Sequence, residues 1–260
     1  MSYIQFEEKN GIGIVQFDRP EAMNALSSEG IREALRFFEG LGDPELTAIL
    51  LTGSGKAFIS GADVREIAVM EPREASRFSD LGNRLMSAIE ACPVPVIAAV
   101  NGYAIGGGLE VALATDFIYA SANAKMGLPE VTLGIMPGFG GVRRLCARIG
   151  TARAKELVYT GRLVTAQEAL DLGIVNRVVL SGELMVQSMQ TAALIGEAGP
   201  RAIRAAKRHA NACMLVEAAQ GAAKEAESFG GLFGDDESRE GLLAFLEKRK
   251  PAWAKEGGQT

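Results

Sequence analysis

Residues 95–117, PVIAAVNGYAIGGGLEVALATDF, decide how the rest of the chain is read. The apolar run from Val96 to Val100 has the length and content of a buried strand, and LEVALATD has helical spacing. Between them stand Gly102, Gly106, Gly107 and Gly108. The backbone is bare where a strand turns into a helix, so a ligand can press against the chain with no Cβ in the way. If Gly106, Gly107 and Gly108 open the helix, their N–H groups have no intrahelical acceptor and the helix dipole adds positive potential. An oxyanion fits there.

Working outward, YIQFEE and GIGIVQFD alternate as two short strands joined by a turn at Asn10-Gly11, and LTAILLTG is a further, more deeply buried strand. A helix starts near Ser27 or Ser28 and runs through IREALRFFEGL. Another covers REASRFSDLGNRLMSAIEA and is ended by Pro93 and Pro95. Pairs of strands followed by a helix therefore recur. Beyond Asp116 come the strand FIYAS, the irregular segment MGLPEVTLGIMPGFGG, and helices in VRRLCARIG and ARAKELVYTG. A short helix in TAQEALDLG carries a capping box, Thr165 with Glu168, and a glycine stop at Gly173. IVNRVV is the last strand. GPRAIRAAKRHANACMLVEAAQGAAKEAESF and DESREGLLAFLEKRK then read as two helices, which divides the chain into residues 1–199 and 200–260.

The 260 residues are 48% hydrophobic, enough to bury the core of one large α/β domain. The net charge of −5 argues against a broad surface for nucleic acid or anionic lipid. Cys92, Cys146 and Cys213 are far apart and form no C-x-x-C pair, as expected of reduced thiols rather than a metal or redox site. No apolar run approaches the roughly 18 residues of a membrane span, and the first residues lack a leader pattern, so a cytoplasmic location is expected.

Several familiar glycine motifs fail on inspection. A dinucleotide fingerprint on Gly106-x-Gly108 would place Val111 at its third glycine, and GFGGVR would place Arg143 there. TGSGKAF has Ala57 where a phosphate loop needs Ser or Thr, and Leu50 where it needs its first glycine. The only histidine, His209, sits in KRHANA, away from any nucleophile elbow, and reads as a solvated helix residue.

A bare backbone and carboxylates remain. Glu110 falls in the first turn of the glycine-opened helix among Leu109, Val111, Ala112 and Leu113, where desolvation raises a carboxyl pKa above roughly 4.3 and suits a proton carrier. The alternative is that it favours the helix N-terminus or pairs with an arginine. A second glycine stop, FISGADVREI, lets Asp63 cap a short helix and leaves further N–H groups at Gly61 and Ala62, so two turns could point at one carbonyl oxygen. Glu130 lies in an apolar loop between Leu128 and Leu133, where a carboxylate is either paired or functional. Spacing alone does not bring it to Glu110.

The segments RPEAMNAL, KAFISGADVREI, PVIAAVNGYAIGGGLEVALATDF, GLPEVTLGIMPGFGGVRRL and DESREGLLAFLEKRK, in this order, resemble the enoyl-CoA hydratase/isomerase (crotonase) superfamily over nearly the whole chain. The resemblance implies an α/β fold, a spiral of β-β-α units with a C-terminal helical trimerisation region, and a homotrimer or homohexamer. It implies an oxyanion hole from the N–H groups of Ala62 and Gly107, and catalytic roles for Glu110 on water and Glu130 on Cα. Retention of both glutamates favours hydration of a 2-enoyl-CoA in acyl-CoA degradation, with an isomerase or another acyl-CoA enzyme of the family working through the same enolate, or a silent CoA-binding relative, as alternatives. No metal or other cofactor is expected, since coenzyme A is part of the substrate. Met23, Ala25, Ala62, Asp63, Val64 and Arg65 match the segments that line the CoA path, with Arg65 in place of a common lysine and Glu21 where some members have a lysine. Phe245 and Lys248 match residues that reach the CoA of a neighbouring subunit. The far end of the acyl pocket is expected from AVMEPREASRF and the C-terminal helices.

Overall fold

The computed structural model describes residues 2–42, 45–214, 226–227, 229–233 and 236–252. It is an α/β spiral in which successive turns give one strand to each of two sheets. β1 (Ile4–Lys9) and β2 (Ile12–Phe17) form the expected hairpin. Its turn places Asn10 at φ 54° and Gly11 at φ 74°, as a two-residue hairpin loop requires. β3 (Ala48–Gly53), β5 (Val96–Val100), β7 (Phe117–Ser121) and β10 (Arg177–Val179) continue that sheet in parallel, in the order β1-β2-β3-β5-β7-β10. β3 and β5 are buried along their whole length, which explains their uninterrupted apolar sequence.

The second sheet, β4 (Ala57–Ile59), β6 (Tyr103–Ile105), β8 (Lys125–Gly127) and β9 (Val164–Thr165), is built from two- and three-residue strands. These are too short to show a period. β4, β6 and β8 directly follow β3, β5 and β7 after short turns, giving a repeating unit of strand, strand, helix, whereas β9 comes after two helices and pairs antiparallel with β8.

The helices start where their caps dictate. Ser27 accepts the Gly30 N–H and opens α1 (Ser28–Gly40). The four-residue α2 is Val64–Ile67, capped by Asp63. α3 (Pro72–Ala91) opens with a capping box between Glu71 and Glu74 and with Pro72 in its first turn, features the sequence reading passed over. α4 is Gly107–Leu113, α5 Gly141–Ile149, α6 Thr151–Thr160 and α7 Ala166–Leu172. Thr165 caps α7 as expected, but the Glu168 carboxylate pairs with Arg162 at 2.6 Å. A helix that the pattern did not yield, α8 (Leu184–Gly196), follows β10. Its face is poorly segregated into polar and apolar sides, which hides it from a periodicity search.

α9 (Pro200–Met214) is tied to the spiral by Lys207, whose ammonium bonds the Asp116 carboxylate at 2.8 Å and the Val94 carbonyl at 3.0 Å. His209 is exposed on it, as expected. The sequence reading carries this helix to residue 229, and its stretch 215–225 lies outside the described residues. The helix Asp236–Leu246 packs on α2 and on the 3-10 turn Glu130–Leu133. Phe229, Phe233 and Leu242 join the main core. Among the described residues no helix is long and apolar enough to cross a membrane.

Candidate active site

β4 and β6 pair in parallel with Ile59 opposite Ala104, so the turns that follow them leave the sheet at the same edge. One is Ser60–Asp63, the other Gly106–Gly108. Gly61, at φ 116°, lies against the Ile105 carbonyl: a Cβ there would come within 3.3 Å of that oxygen. Gly108 packs harder, since a Cβ would sit 2.0 Å from the Ile59 carbonyl oxygen. Glycines bring the two turns together. The Ser60–Asp63 turn is held from its other side by Leu26, whose N–H donates to Gly61 O at 2.8 Å and whose carbonyl accepts from Asp63 N at 2.8 Å. Asn24 underlies it, buried at φ 58°, with its amide nitrogen on the carbonyls of Ser54, Ala57 and Phe58.

Gly106 has φ 52° and ψ −124°, a conformation that only glycine adopts readily, and it starts α4. Gly107 is therefore the first helical residue, with its N–H among those that no intrahelical carbonyl can take. A Cβ on Gly106 would meet Glu130 Oε1 at 2.7 Å, which sets the Glu130 carboxylate directly on this turn. Glu130 itself opens the 3-10 turn Glu130–Leu133 and is half-buried.

Glu110, 1% exposed, sits one turn into α4. Its Oε1 accepts the N–H groups of Phe139 at 2.8 Å and Gly141 at 2.7 Å. Both donors are backbone groups of the stretch after Pro137, so the chain itself fixes where the carboxylate lies. Gly141 is bare for the same contact, since its Cβ would lie 2.6 Å from Glu110 Cγ.

A cavity of about 760 Å³ opens on both carboxylates and both turns. Every site residue expected from the sequence lines it: Met23, Ala25, Ala62, Asp63, Val64, Arg65, Gly107, Glu110, Glu130, Phe245 and Lys248. Phe245 and Lys248, expected to reach a neighbouring subunit, border the cavity of their own chain. The tail after Leu246 is fastened for this: Lys248 takes φ 56° and Arg249 forks onto Glu240. Hydrogen bonding from Arg249, more than the opposing effect of desolvation, brings the Glu240 carboxyl down to about 2.

Other lining residues were not singled out from the sequence. Arg19 bonds Asp63 at 2.9 Å and approaches Glu21 at 3.7 Å, forming a charged mouth near Arg65. Phe139 lines the wall beside Gly107, where a Cβ would meet its ring at 3.2 Å, and packs at a tilt against Phe78 with centroids 5.3 Å apart. Phe78 lies in the AVMEPREASRF stretch expected at the acyl end. The signal for Phe139 was its place inside GFGG, where glycines on both sides leave one large side chain to fill the space.

This combination can polarise a carbonyl at two amide turns while two carboxylates on different elements move protons. A profile of the enoyl-CoA hydratase/isomerase family matches residues 7–256. The sequence is 39% identical over 252 residues to the short-chain-enoyl-CoA hydratase of Clostridium acetobutylicum, covering 96% of this chain and 97% of that one. It is 41% identical over 249 residues to the crotonyl-CoA hydratase of Syntrophomonas wolfei, covering 95% and 96%. The fold matches a crystal structure of an enoyl-CoA hydratase from Bacillus anthracis with a TM-score of 0.80 at 37% identity, covering 96% of this chain and 98% of that one.

Proposed function

The chain belongs to the enoyl-CoA hydratase/isomerase family, and on that premise we infer that it is an enoyl-CoA hydratase, a hydro-lyase that adds water across a 2-enoyl thioester to give a 3-hydroxyacyl-CoA. The observation that carries this reading is the meeting of Glu110 and Glu130 at one cavity with the Ala62 and Gly107 turns. The thioester oxygen rests on the N–H groups of Ala62 and Gly107. As water adds at Cβ, negative charge grows on that oxygen, and each preorganised donor is worth on the order of 10²–10³ in rate. Glu110 takes the proton from the attacking water, and Glu130 delivers one to Cα. The placement of Glu130 Oε1 against Gly106 supports its role, because Cα of the substrate is bonded to the carbonyl carbon held at Gly107.

Coenzyme A enters as part of the substrate, and the proposed steps call on no other cofactor. Met23, Ala25, Asp63 and Val64 border its path, while Arg65 and Lys248 offer cations to its phosphates. Residues 200–260 are read as the oligomerisation part of a trimer or a dimer of trimers. Exposed Tyr159 on α6 and Val186 and Leu194 on α8 are consistent with further burial in an assembly, and light scattering on the purified protein checks its size.

The test of the reaction is loss of the conjugated enoyl absorbance of crotonyl-CoA. Wild type is expected to bleach it, and Glu110→Gln and Glu130→Gln to bleach it slower by orders of magnitude. Wild type that binds the thioester but leaves the absorbance unchanged, while converting a 3-enoyl-CoA, overturns hydration in favour of isomerisation.

A further inference from the structure

The stretch Gly138–Gly141 holds Glu110 with two amides, and the hydrogen bonds on its other side come from two helices. Three consecutive peptide planes are involved. In the first, the Gly138 carbonyl accepts from Ser79 Oγ and from Asn83 Nδ2 at 2.9 Å, both on α3, and the Phe139 N–H donates to Glu110. In the third, the Gly140 carbonyl accepts from the Arg144 backbone N–H at 3.1 Å, and the Gly141 N–H donates to Glu110. The middle plane carries neither donor. Its Phe139 carbonyl accepts from Arg144 Nη1 at 2.8 Å, and the same guanidinium forks onto Glu90 through Nε and Nη2, both at 2.8 Å.

Arg144 is 5% exposed, and each of its three guanidinium nitrogens has a partner at 2.8 Å. A cation buried this deeply is costly unless fully paired, and a bidentate carboxylate fixes its plane. Gly140, at φ 85°, is the natural pivot of the stretch, and it is packed so closely that a Cβ there would lie 2.2 Å from Arg144 Nη1. Freed from Arg144, the middle plane can turn about Gly140, and the two amides that converge on Glu110 Oε1 lose their common aim. Resting on the reading of Glu110 as the group that activates water, we propose that Arg144, oriented by Glu90, is a positioning residue for Glu110, acting through the Phe139 carbonyl. Accepting hydrogen bonds at the carbonyls of the outer planes also polarises their N–H groups as donors, so the network supports the carboxylate in charge as well as in place.

A double-substitution cycle on the full-length enzyme with crotonyl-CoA tests this. Arg144→Met is expected to lower kcat by about 10–100-fold, the order lost when a catalytic group shifts by an ångström or less, while KM and the affinity for butyryl-CoA, which cannot be hydrated, barely move. Arg144→Lys cannot fork onto Glu90 and reach the Phe139 carbonyl together, so its loss is intermediate. In a Glu110→Gln background the Arg144→Met change is expected to alter kcat by less than about twofold, because the group it positions is already gone. An equal loss in both backgrounds, or a loss confined to KM, overturns the inference and leaves Arg144 as a core ion pair. Should Arg144→Met fail to fold, Glu90→Gln keeps the guanidinium and is expected to show a smaller loss with the same dependence on background. A Glu110→Gln enzyme as fast as wild type would instead overturn the role of Glu110 itself, a separate result.

Discussion

The two carboxylates at the cavity are held in opposite ways. Glu110 stands on a buried helix, receives two amides, and faces a stretch of backbone pinned by Ser79, Asn83 and Arg144. Glu130 stands on a half-buried 3-10 turn with no buried residue of its own, closed by local bonds such as Thr132 Oγ1 to Pro129 O and covered by the helix Asp236–Leu246. The first is held by bonds from distant elements, the second by bonds within its own turn. On the proposed roles that division suits the chemistry: a water must be held in place for attack, whereas the proton donor has to follow Cα as it changes from planar to tetrahedral.

The comparison can be broken most decisively at the carboxylates themselves. Glu110→Gln and Glu130→Gln are each expected to lower kcat by about 10²–10⁴, the usual worth of a positioned acid or base, as read from hydration rates. Shortening sharpens the contrast: Glu130→Asp should keep about tenfold more kcat than Glu110→Asp, since a turn can move by a methylene's length more readily than a buried helix can. Equal losses in the two Asp enzymes would mean that the turn is as rigid as the helix.

Next come the glycines that seat each carboxylate. Gly106→Ala meets Glu130 Oε1 at 2.7 Å and forces a non-glycine residue to φ 52°, so about a tenfold loss of kcat is expected with a modest loss of stability. Gly108→Ala, whose Cβ would meet backbone at 2.0 Å, acts on the frame common to both carboxylates. About 3 kcal/mol of destabilisation is expected, visible as a melting temperature lower by roughly 10 °C. A Gly108→Ala protein that melts with wild type would show that α4 and β4 separate more easily than the packing implies. The smallest effect belongs to Lys248→Ala, which should raise KM for crotonyl-CoA by about tenfold, the worth of one charge-assisted hydrogen bond, and leave KM for the crotonyl thioester of pantetheine unchanged. A similar rise for both thioesters would place Lys248 away from the phosphates.

The fold was legible wherever burial leaves a long pattern. β3 and β5 announce themselves as apolar runs, and α1, α3 and α7 by caps and proline or glycine stops. The second sheet was only implied by the recurrence of strand pairs, because strands of two or three residues carry no period. α8 was missed because its apolar residues surround it rather than forming a stripe. At the site, the glycines and Glu110 could be singled out from local chemistry, and Asp63 as a cap, but the partners of Glu110 could not. Phe139 and Gly141 lie about thirty residues from it, and only the parallel crossing of β5 and β7 and the return of the chain through β8 bring them together. Burial among apolar neighbours suggested a carboxyl shifted by desolvation alone. The amides that meet its carboxylate are backbone groups, which leave no mark in a sequence beyond the glycines that make room for them.

The division of labour between the two carboxylates is tested most directly by exchange of solvent deuterium into the α position of butyryl-CoA, a saturated thioester that can be enolised but not hydrated. Wild type and Glu110→Gln are expected to exchange it at similar rates, since the oxyanion turns and Glu130 are intact in both, while Glu130→Gln loses the exchange. A Glu130→Gln enzyme that exchanges as fast as wild type, or a Glu110→Gln enzyme that does not, would contradict the assignment of the Cα proton to the carboxylate on the turn.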